Sequence, residues 1–210
     1  MKLEFCAENF TDIPRKIDQG ASRIELCDNL AQGGTTPSYG VIEHSLAYCQ
    51  TRGIPVMVMA RCRGGNFNYN QWEKQIMLDD AKVILELGAN GLVCGGLIGK
   101  QLDTDLLESL SRLAKTYQAE LTFHMAFDQL TKDQQLLAID QLAQMGFQRI
   151  LTHGGSMDAP IMDHVEWLSQ LIDYASQRIV IMPGGGITRD NLADLHARLQ
   201  VNEYHGSRIV

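Results

Sequence analysis

The sequence predicts a single (β/α)8 barrel, a TIM barrel, over residues 1–210. Eight short apolar segments alternate with seven amphipathic segments of helical period, and this alternation requires parallel strands joined by right-handed crossovers. A doubly wound sheet has the same alternation. Eight strands in 210 residues, with polar residues inside several of them, favour the closed barrel. No linker divides the chain, so we expect one domain.

The eight predicted strands are short runs rich in Val, Ile, Leu and Phe. In "KLEFC" and "RIELC", Glu4 and Cys6 share one face of the first strand, and Glu25 and Cys27 share one face of the second. We expect the apolar faces to pack on helices and these polar faces to line the barrel interior. The predicted strands cover 2–6, 23–27, 55–60, 91–95, 120–125, 148–152, 178–182 and 202–206.

The seven predicted helices cover 10–19, 38–52, 70–87, 104–117, 132–145, 160–177 and 188–199. In "WEKQIMLDDAKVILELG", Ile76, Val83 and Leu87 fall on one apolar stripe, and Gly88 ends the helix. The chain ends at "HGSRIV", directly after the eighth strand. We therefore expect the eighth helix to be missing or displaced, with its flank bare, covered by another helix, or covered by a second subunit.

Composition excludes several functional classes. The net charge of −7 disfavours binding to nucleic acid or to an anionic membrane surface. No apolar run approaches the roughly 18 residues of a membrane span, and the N-terminus has no apolar stretch typical of a signal peptide. The five cysteines are odd in number and lack CxxC spacing, which is typical of reduced thiols. We expect a cytoplasmic protein.

Candidate site residues cluster at the C-terminal ends of the predicted strands, where TIM barrels place their sites. Charges inside a barrel require partners, so Glu4 and Glu25 are expected to pair with Arg61, Arg63 or His205. The alternative is that the glutamates belong to an ion-pair layer that only fills the barrel. The residues at the strand ends are Cys6, Cys27, Arg61, Arg63, Cys94, His124, Asp128, Thr152, His153 and His205.

Two loops are candidates for binding an anion. "IVIMPGGGITRDN" runs from the seventh strand through Gly184, Gly185 and Gly186 to a helix start with Thr188 as N-cap, and barrels often bind phosphate here. The alternative for the glycines is a tight turn. "RCRGGNFNYN" after the third strand could be a mobile lid with two guanidinium groups for an anion, or a loop whose arginines pair with the interior glutamates.

The two strand-end thiols are candidate metal ligands. Thiolates select Cu(I), Zn(II) or iron–sulfur clusters, and a set of four clustered ligands for structural zinc is missing. Neighbouring parallel strands lie roughly 5 Å apart, so Cys6 and Cys27 could hold a two-coordinate Cu(I) ion. Inward residues of adjacent strands fall in alternate layers, which could offset the two thiols. The alternative is that both are small core residues.

Five segments in order and spacing, "RIELCDNLAQGGTTPSYG", "RCRGGNFNY", "LTFHMAFD", "RILTHGG" and "IVIMPGGGIT", resemble the CutC family. The resemblance implies a TIM barrel, a cytoplasmic dimer or higher homo-oligomer, and copper handling with Cu(I) on Cys6 and Cys27. The chain departs from the family pattern at three positions. Cys62 replaces a proline, Met125 replaces an arginine, and His153 replaces a serine, each adding a potential copper ligand.

Two functional hypotheses follow. In the first, the protein is a copper homeostasis protein that binds Cu(I) through Cys6 and Cys27. In the second, it is a barrel enzyme acting on a small phosphorylated or carboxylated metabolite. In the enzyme, His124 and Asp128 would be the acid/base pair and Glu25 a second base. The residues expected to bind the substrate anion are Arg61, Arg63, Gly184, Gly185, Gly186 and His205.

Overall fold

Eight parallel strands form one sheet that curves almost into a closed barrel in the computed structural model, which describes residues 1–210. The strands are β1 (Lys2–Glu8), β2 (Arg23–Cys27), β3 (Val56–Met59), β4 (Gly91–Cys94), β5 (Leu97–Ile98), β6 (Gln101–Leu102), β7 (Glu120–Phe123), β8 (Arg149–Thr152), β9 (Val180–Pro183) and β10 (Glu203–Gly206). The order in the sheet is β10-β1-β2-β3-β4-β7-β8-β9, and the predicted TIM-barrel class is confirmed. The short β5 and β6 form a separate antiparallel hairpin after β4.

The barrel has a seam between β9 and β10. Seven parallel ladders join the other neighbouring strands, but no ladder joins these two. Beyond their ends the chain forms a single parallel bridge between Thr188 and Arg208. The two strands at the seam therefore have one hydrogen-bonded neighbour each, and side chains close the barrel there.

Seven α-helices alternate with the barrel strands, and their ends follow local capping chemistry. The helices are α1 (Ile13–Asp18), α2 (Tyr39–Gln50), α3 (Gln71–Glu86), α4 (Thr104–Tyr117), α5 (Lys132–Met145), α6 (Val165–Ala175) and α7 (Leu192–Leu199). The Asn70 side chain accepts hydrogen bonds from two amides at the start of α3, and Glu73 completes a capping box. Asp103 and Thr131 cap α4 and α5, each by accepting from one amide of the first turn.

Most of the apolar core lies between the helices and the outer face of the sheet. The buried face of α3 carries Met77, Ala81 and Ile84, whereas Ile76 and Val83 are exposed. The predicted apolar stripe was therefore placed on the wrong side of this helix. Apolar residues occur on both sides of α3, and periodicity alone did not separate them. None of the helices is both long enough and apolar enough to span a bilayer.

No helix follows β10 within residues 1–210, at the position where a (β/α)8 barrel has its eighth helix. The flank it would occupy is covered from within the chain. Ile209 is buried beside α7, and the Val210 carbonyl accepts a hydrogen bond from the Lys16 ammonium group of α1. The same ammonium group lies over the ring of Phe5, on the outer face of β1. A second subunit is not needed to cover this flank.

Candidate functional site

A buried ion-pair layer fills the interior near the start of the strands. Glu4 stands beside Arg23 on β2 and beside His205 on β10 in the strand register. Its carboxylate accepts hydrogen bonds from the Arg23 guanidinium and, at 2.8 Å, from His205 Nδ1. Burial alone would raise the pKa of Glu4, but the His205 hydrogen bond and the Arg23 charge lower it to about 2. Glu4 is ionised and paired.

The layer continues through residues that the sequence analysis did not single out. Arg23 donates to the Glu203 carboxylate at 2.6 Å, and Arg149 donates to the same carboxylate at 3.1 Å and to Glu120 at 2.6 Å. The sequence contains a signal for Arg23, which stands two residues before Glu25 in "RIELC" and so shares its face. For Glu4 the expected filling layer is present, with Arg23 in place of the expected loop arginines.

Glu25 differs from Glu4 because no arginine reaches it. One carboxylate oxygen accepts a hydrogen bond from the Cys6 thiol at 3.7 Å. The other, Oε2, lies 3.7 Å from His205 Nδ1 and has no hydrogen-bond partner although it is buried. Burial raises the pKa of Glu25 to about 6, with the charge of His205 opposing that rise.

The thiols of Cys6 and Cys27 meet inside the barrel. Along the ladder Cys6 stands beside Glu25 and Cys27 beside Glu8, so the two cysteines are offset by two residues, yet their sulfur atoms lie 3.9 Å apart. Cys27 also donates to the Ala7 carbonyl at 3.3 Å. The hydrogen bond with Cys27 and burial raise the pKa of Cys6 well above its ordinary value, which keeps that thiol protonated.

The donor set at the thiols suits a soft metal ion. The ligand atoms of Cys6, Glu25 and Cys27 all lie within 4.8 Å of one another. Metal–sulfur bonds of about 2.3 Å place two sulfurs at most about 4.6 Å apart across one ion. The observed 3.9 Å falls inside that limit, so one ion fits between the sulfurs without movement of the strands.

Methionines complete the soft surroundings of the thiols. Met57 and Met59 of β3 pack with Cys6 and Cys27 in one small apolar cluster inside the barrel, together with Val93. The sequence analysis missed these thioethers, although the alternation in "VMVM" puts them on one face. The three departures from the family pattern lie elsewhere. Cys62, for example, packs against the helix-facing core.

Arg61 and Arg63 do not pair with the interior glutamates, so that expectation was wrong. Arg61 donates to the carbonyls of Gln32, Gly34 and Gly65. Arg63 forms an ion pair with Glu73 of α3 at 2.5 Å. Both arginines hold the loop after β3, because a guanidinium group has five donors that can bind several carbonyls at once.

His124 and Asp128 lie in one turn but have separate partners. His124 Nδ1 accepts from the Ala126 amide at 3.2 Å. Asp128 accepts from the Thr152 hydroxyl at 2.5 Å and from the His153 amide at 3.0 Å. Burial lowers the pKa of His124 to about 3, with a further contribution from the nearby charge of Arg61, so the ring is neutral near pH 7. The two side chains are not hydrogen-bonded to each other, and the acid/base role expected of them stays a prediction.

The glycines after β9 form a turn without a helix start. The Gly184 amide continues the ladder to Thr152, and the carbonyls of Gly184 and Gly185 face His153 Nδ1 at 3.2 and 3.0 Å. Helix α7 begins only at Leu192, because Asn191 accepts from the Thr188 amide and forms a turn before the helix. The expected N-cap at Thr188 was therefore wrong. The glycines do not lead directly into a helix N-terminus.

Comparison with known proteins finds relatives that match nearly the whole chain. A model described as the CutC family matches residues 1–210. A relative from Enterococcus faecalis named "family protein CutC" is 52% identical over 211 residues, and the match covers the full length of both chains. The mouse "Copper homeostasis protein cutC homolog" is 39% identical over 206 residues, which is 98% of this chain and 72% of that protein.

Solved structures agree with these matches. The crystal structure of a CutC protein from Streptococcus agalactiae superposes with a TM-score of 0.95 at 45% identity, covering both chains completely. Deoxyribose phosphate aldolase from Aeropyrum pernix superposes with a TM-score of 0.72 at 14% identity, over 98% of this chain and 84% of the aldolase. The second likeness shows the shared barrel fold alone.

Proposed function

Because this chain belongs to the CutC family, we propose that it is a copper homeostasis protein that binds Cu(I) between the thiols of Cys6 and Cys27. The observation that carries the proposal is the 3.9 Å separation of two buried sulfurs inside the barrel. Thiolate and thioether sulfurs are soft ligands, and they bind Cu(I) in preference to harder metal ions. Met57 and Met59 supply thioethers beside the pair.

The charges around the thiols also support binding of a monovalent cation. Two thiols must lose their protons to bind the ion as thiolates, which leaves the bound site with one net negative charge. Although burial opposes a charge on His205, the charge of Glu25 and the hydrogen bonds of Cys6 and Glu4 raise its pKa well above the ordinary value. A protonated His205 at this position offsets the negative charge of a bound dithiolate.

An anaerobic competition titration against a strong Cu(I) chelator tests the proposal. We expect one tight equivalent in the wild type and its loss in the double variant Cys6→Ser/Cys27→Ser. Cys94→Ser is the matched control, because Cys94 is also buried but packs in the helix-facing core. The proposal is abandoned if the double variant retains the equivalent, or if the wild type competes no better than the double variant.

A second candidate function is an enzyme that acts on a small phosphorylated or carboxylated metabolite, and one observation favours it. Glu25 is buried inside the barrel with a pKa raised to about 6, a value suited to a general base near neutral pH. In this second proposal Glu25 acts as the base, because the side chains of His124 and Asp128 already accept hydrogen bonds from neighbouring groups. The variants Glu25→Gln and Cys6→Ser/Cys27→Ser separate the two functions. An enzyme loses turnover in Glu25→Gln, whereas a copper protein loses its metal in the cysteine variant.

We also propose that the protein acts in the cytoplasm as a homodimer or higher homo-oligomer. Five free cysteines support a reducing compartment. The oligomeric state rests on the family resemblance, since the flank left by the missing helix is covered from within the chain. Native mass spectrometry of the purified protein tests it, and a strict monomer at micromolar concentration would remove the proposal.

A further inference from the structure

Three buried side chains in the loop after β3 and at the end of β7 have donor groups without partners. Arg61 is 2% exposed, His124 is 4% exposed and Tyr69 is 7% exposed. Arg61 Nε, His124 Nε2 and the Tyr69 hydroxyl have no hydrogen-bond partner. A buried polar group without a partner costs roughly 1–3 kcal/mol, so three in one place point to a ligand that satisfies them.

All three unpartnered groups are hydrogen-bond donors. Arg61 Nε carries a hydrogen and cannot accept. His124 Nδ1 accepts from the Ala126 amide, so in the neutral imidazole the proton is on Nε2. The Arg61 guanidinium, which can only donate, is the hydrogen-bonding neighbour of the Tyr69 oxygen, so the Tyr69 O–H is the group that lacks an acceptor. A ligand for these groups must therefore be an acceptor, and the charge of Arg61 favours an anion.

Phe67 packs against two of the three side chains. The Arg61 guanidinium lies 4.8 Å from the centre of the Phe67 ring, and the His124 ring centre lies 4.9 Å from it. Tyr69 is beside Arg61. Gly95 of the β4 loop makes room for the His124 imidazole, because a Cβ there would overlap the ring. Two of the donors therefore meet at one half-buried aromatic side chain, and the third neighbours Arg61.

Phe67 also lines a cavity. The cavity has a volume of about 520 Å³ and is lined by Phe67, Met125, Lys132, Gly154 and Ser156, among others. Ligand cavities of roughly 300–1,000 Å³ accept small molecules. Phe67 thus contacts both a cavity of sufficient size and the buried side chains of Arg61 and His124.

We propose that Arg61, Tyr69 and His124 form a binding site for a small oxyanion, a carboxylate or a phosphate group, and that Phe67 is its lid. Rotation of the Phe67 side chain connects the cavity with the three donors, and oxygen lone pairs of the anion accept from all of them. Arg61 also fixes the loop through its other two nitrogens, which donate to the carbonyls of Gln32, Gly34 and Gly65. The site is separate from the thiol pair and does not depend on copper.

Isothermal titration calorimetry with inorganic phosphate and, separately, with malonate tests the proposal, both at an ionic strength fixed with sodium chloride. We expect saturable binding of at least one anion, and the preferred anion identifies the class of ligand. Tyr69→Phe removes one donor oxygen and should weaken that binding about tenfold, which equals about 1.4 kcal/mol. Tyr174→Phe is the matched control and should leave the affinity unchanged, because Tyr174 bonds to Asp140 on the outer surface.

Two further readouts keep the test decisive. Tyr69→Phe should melt at or above the wild-type temperature, because it removes a buried hydroxyl that has no partner. Phe67→Ala opens the lid and should bind the anion more tightly. The proposal is overturned if neither anion binds saturably to the wild type or to Phe67→Ala, since water then satisfies the donors. Equal affinity in the wild type and in Tyr69→Phe also overturns it.

Discussion

Two glutamates on neighbouring strands have opposite environments, although their sequence settings are nearly identical. Glu4 in "KLEFC" is paired with Arg23 and His205, whereas Glu25 in "RIELC" faces a thiol and keeps one oxygen without a partner. The difference follows from the strand register, which places Arg23 beside Glu4. Glu4 belongs to the layer of buried ion pairs, and Glu25 belongs to the proposed site beside the thiols.

Glu4→Gln should destabilise the fold by up to about 3–5 kcal/mol, because it removes the buried carboxylate charge that Arg23 and His205 share and leaves Arg23 with Glu203 alone. Chemical denaturation at pH 7 measures the change. Glu108→Gln is a control on an exposed ion pair with Arg112 and should change stability by less than about 1 kcal/mol. Equal effects of the two substitutions would contradict the assignment of Glu4 to a buried pair.

Acid stability should depend on Glu4. Its pKa is lowered from 4.5 to about 2 in the folded state, so its contribution is fully present above pH 4.5 and is lost as the pH falls towards 2. We expect the free energy of unfolding of the wild type to fall through this range. In Glu4→Gln the part of this pH dependence that comes from Glu4 should be missing from the free energy of unfolding. Unfolding curves at several pH values between 2 and 6 measure it, and parallel profiles for both proteins would show that other carboxyl groups dominate.

The elements were predictable wherever apolar periodicity and capping residues agree. The strand 23–27 matches β2, and the helices predicted at 104–117 and 132–145 match α4 and α5. The predicted start of a helix was wrong where a side chain forms a turn before the helix. Asn191 delays α7 by binding the Thr188 amide. The β5 and β6 hairpin has two residues in each strand, too short for a periodic signal.

Site residues were less predictable than elements because their roles depend on contacts between distant segments. Inward placement of Glu4 and Glu25 follows from alternation within a strand, and the structure confirms it. The partners of Arg61 depend on the path of its loop, and no local pattern specifies that the guanidinium binds three carbonyls. The Tyr69 hydroxyl lacks a hydrogen-bond partner because of how separate segments pack around it, and no local sequence pattern specifies that packing.

At the scale of an element, the close approach of β4 to the end of β7 should make Gly95 sensitive to substitution. Gly95→Ala should destabilise the protein by about 1–3 kcal/mol, because the added Cβ overlaps the His124 ring. Gly40→Ala in α2 is the control, since nothing lies within 4 Å of its Cβ position, and it should stabilise by up to about 1 kcal/mol. Thermal unfolding compares them, and a destabilised Gly40→Ala variant beside a neutral Gly95→Ala variant would contradict the packing.

The whole barrel is stabilised unevenly around its circumference. Strands β9 and β10 each have one hydrogen-bonded neighbour, whereas β1, β2 and β3 each have two. Local opening requires fewer broken contacts at such edges. Native-state hydrogen exchange should therefore show faster exchange at the amides of Val180, Ile181 and Met182 and of Glu203–Gly206 than at those of Arg23–Cys27. Uniform protection around the barrel would show that side-chain packing closes the seam as firmly as a ladder.

The two thiols are not equally accessible, and this fixes an order for metal transfer on the proposed function. Cys6 is 8% exposed and Cys27 is fully buried. A carrier that delivers a soft ion by ligand exchange contacts Cys6 before Cys27. Cys27 replaces the last ligand of the carrier only after the ion has moved inward. Cys6 would then govern the rate at which the ion enters, and Cys27 the time for which it stays.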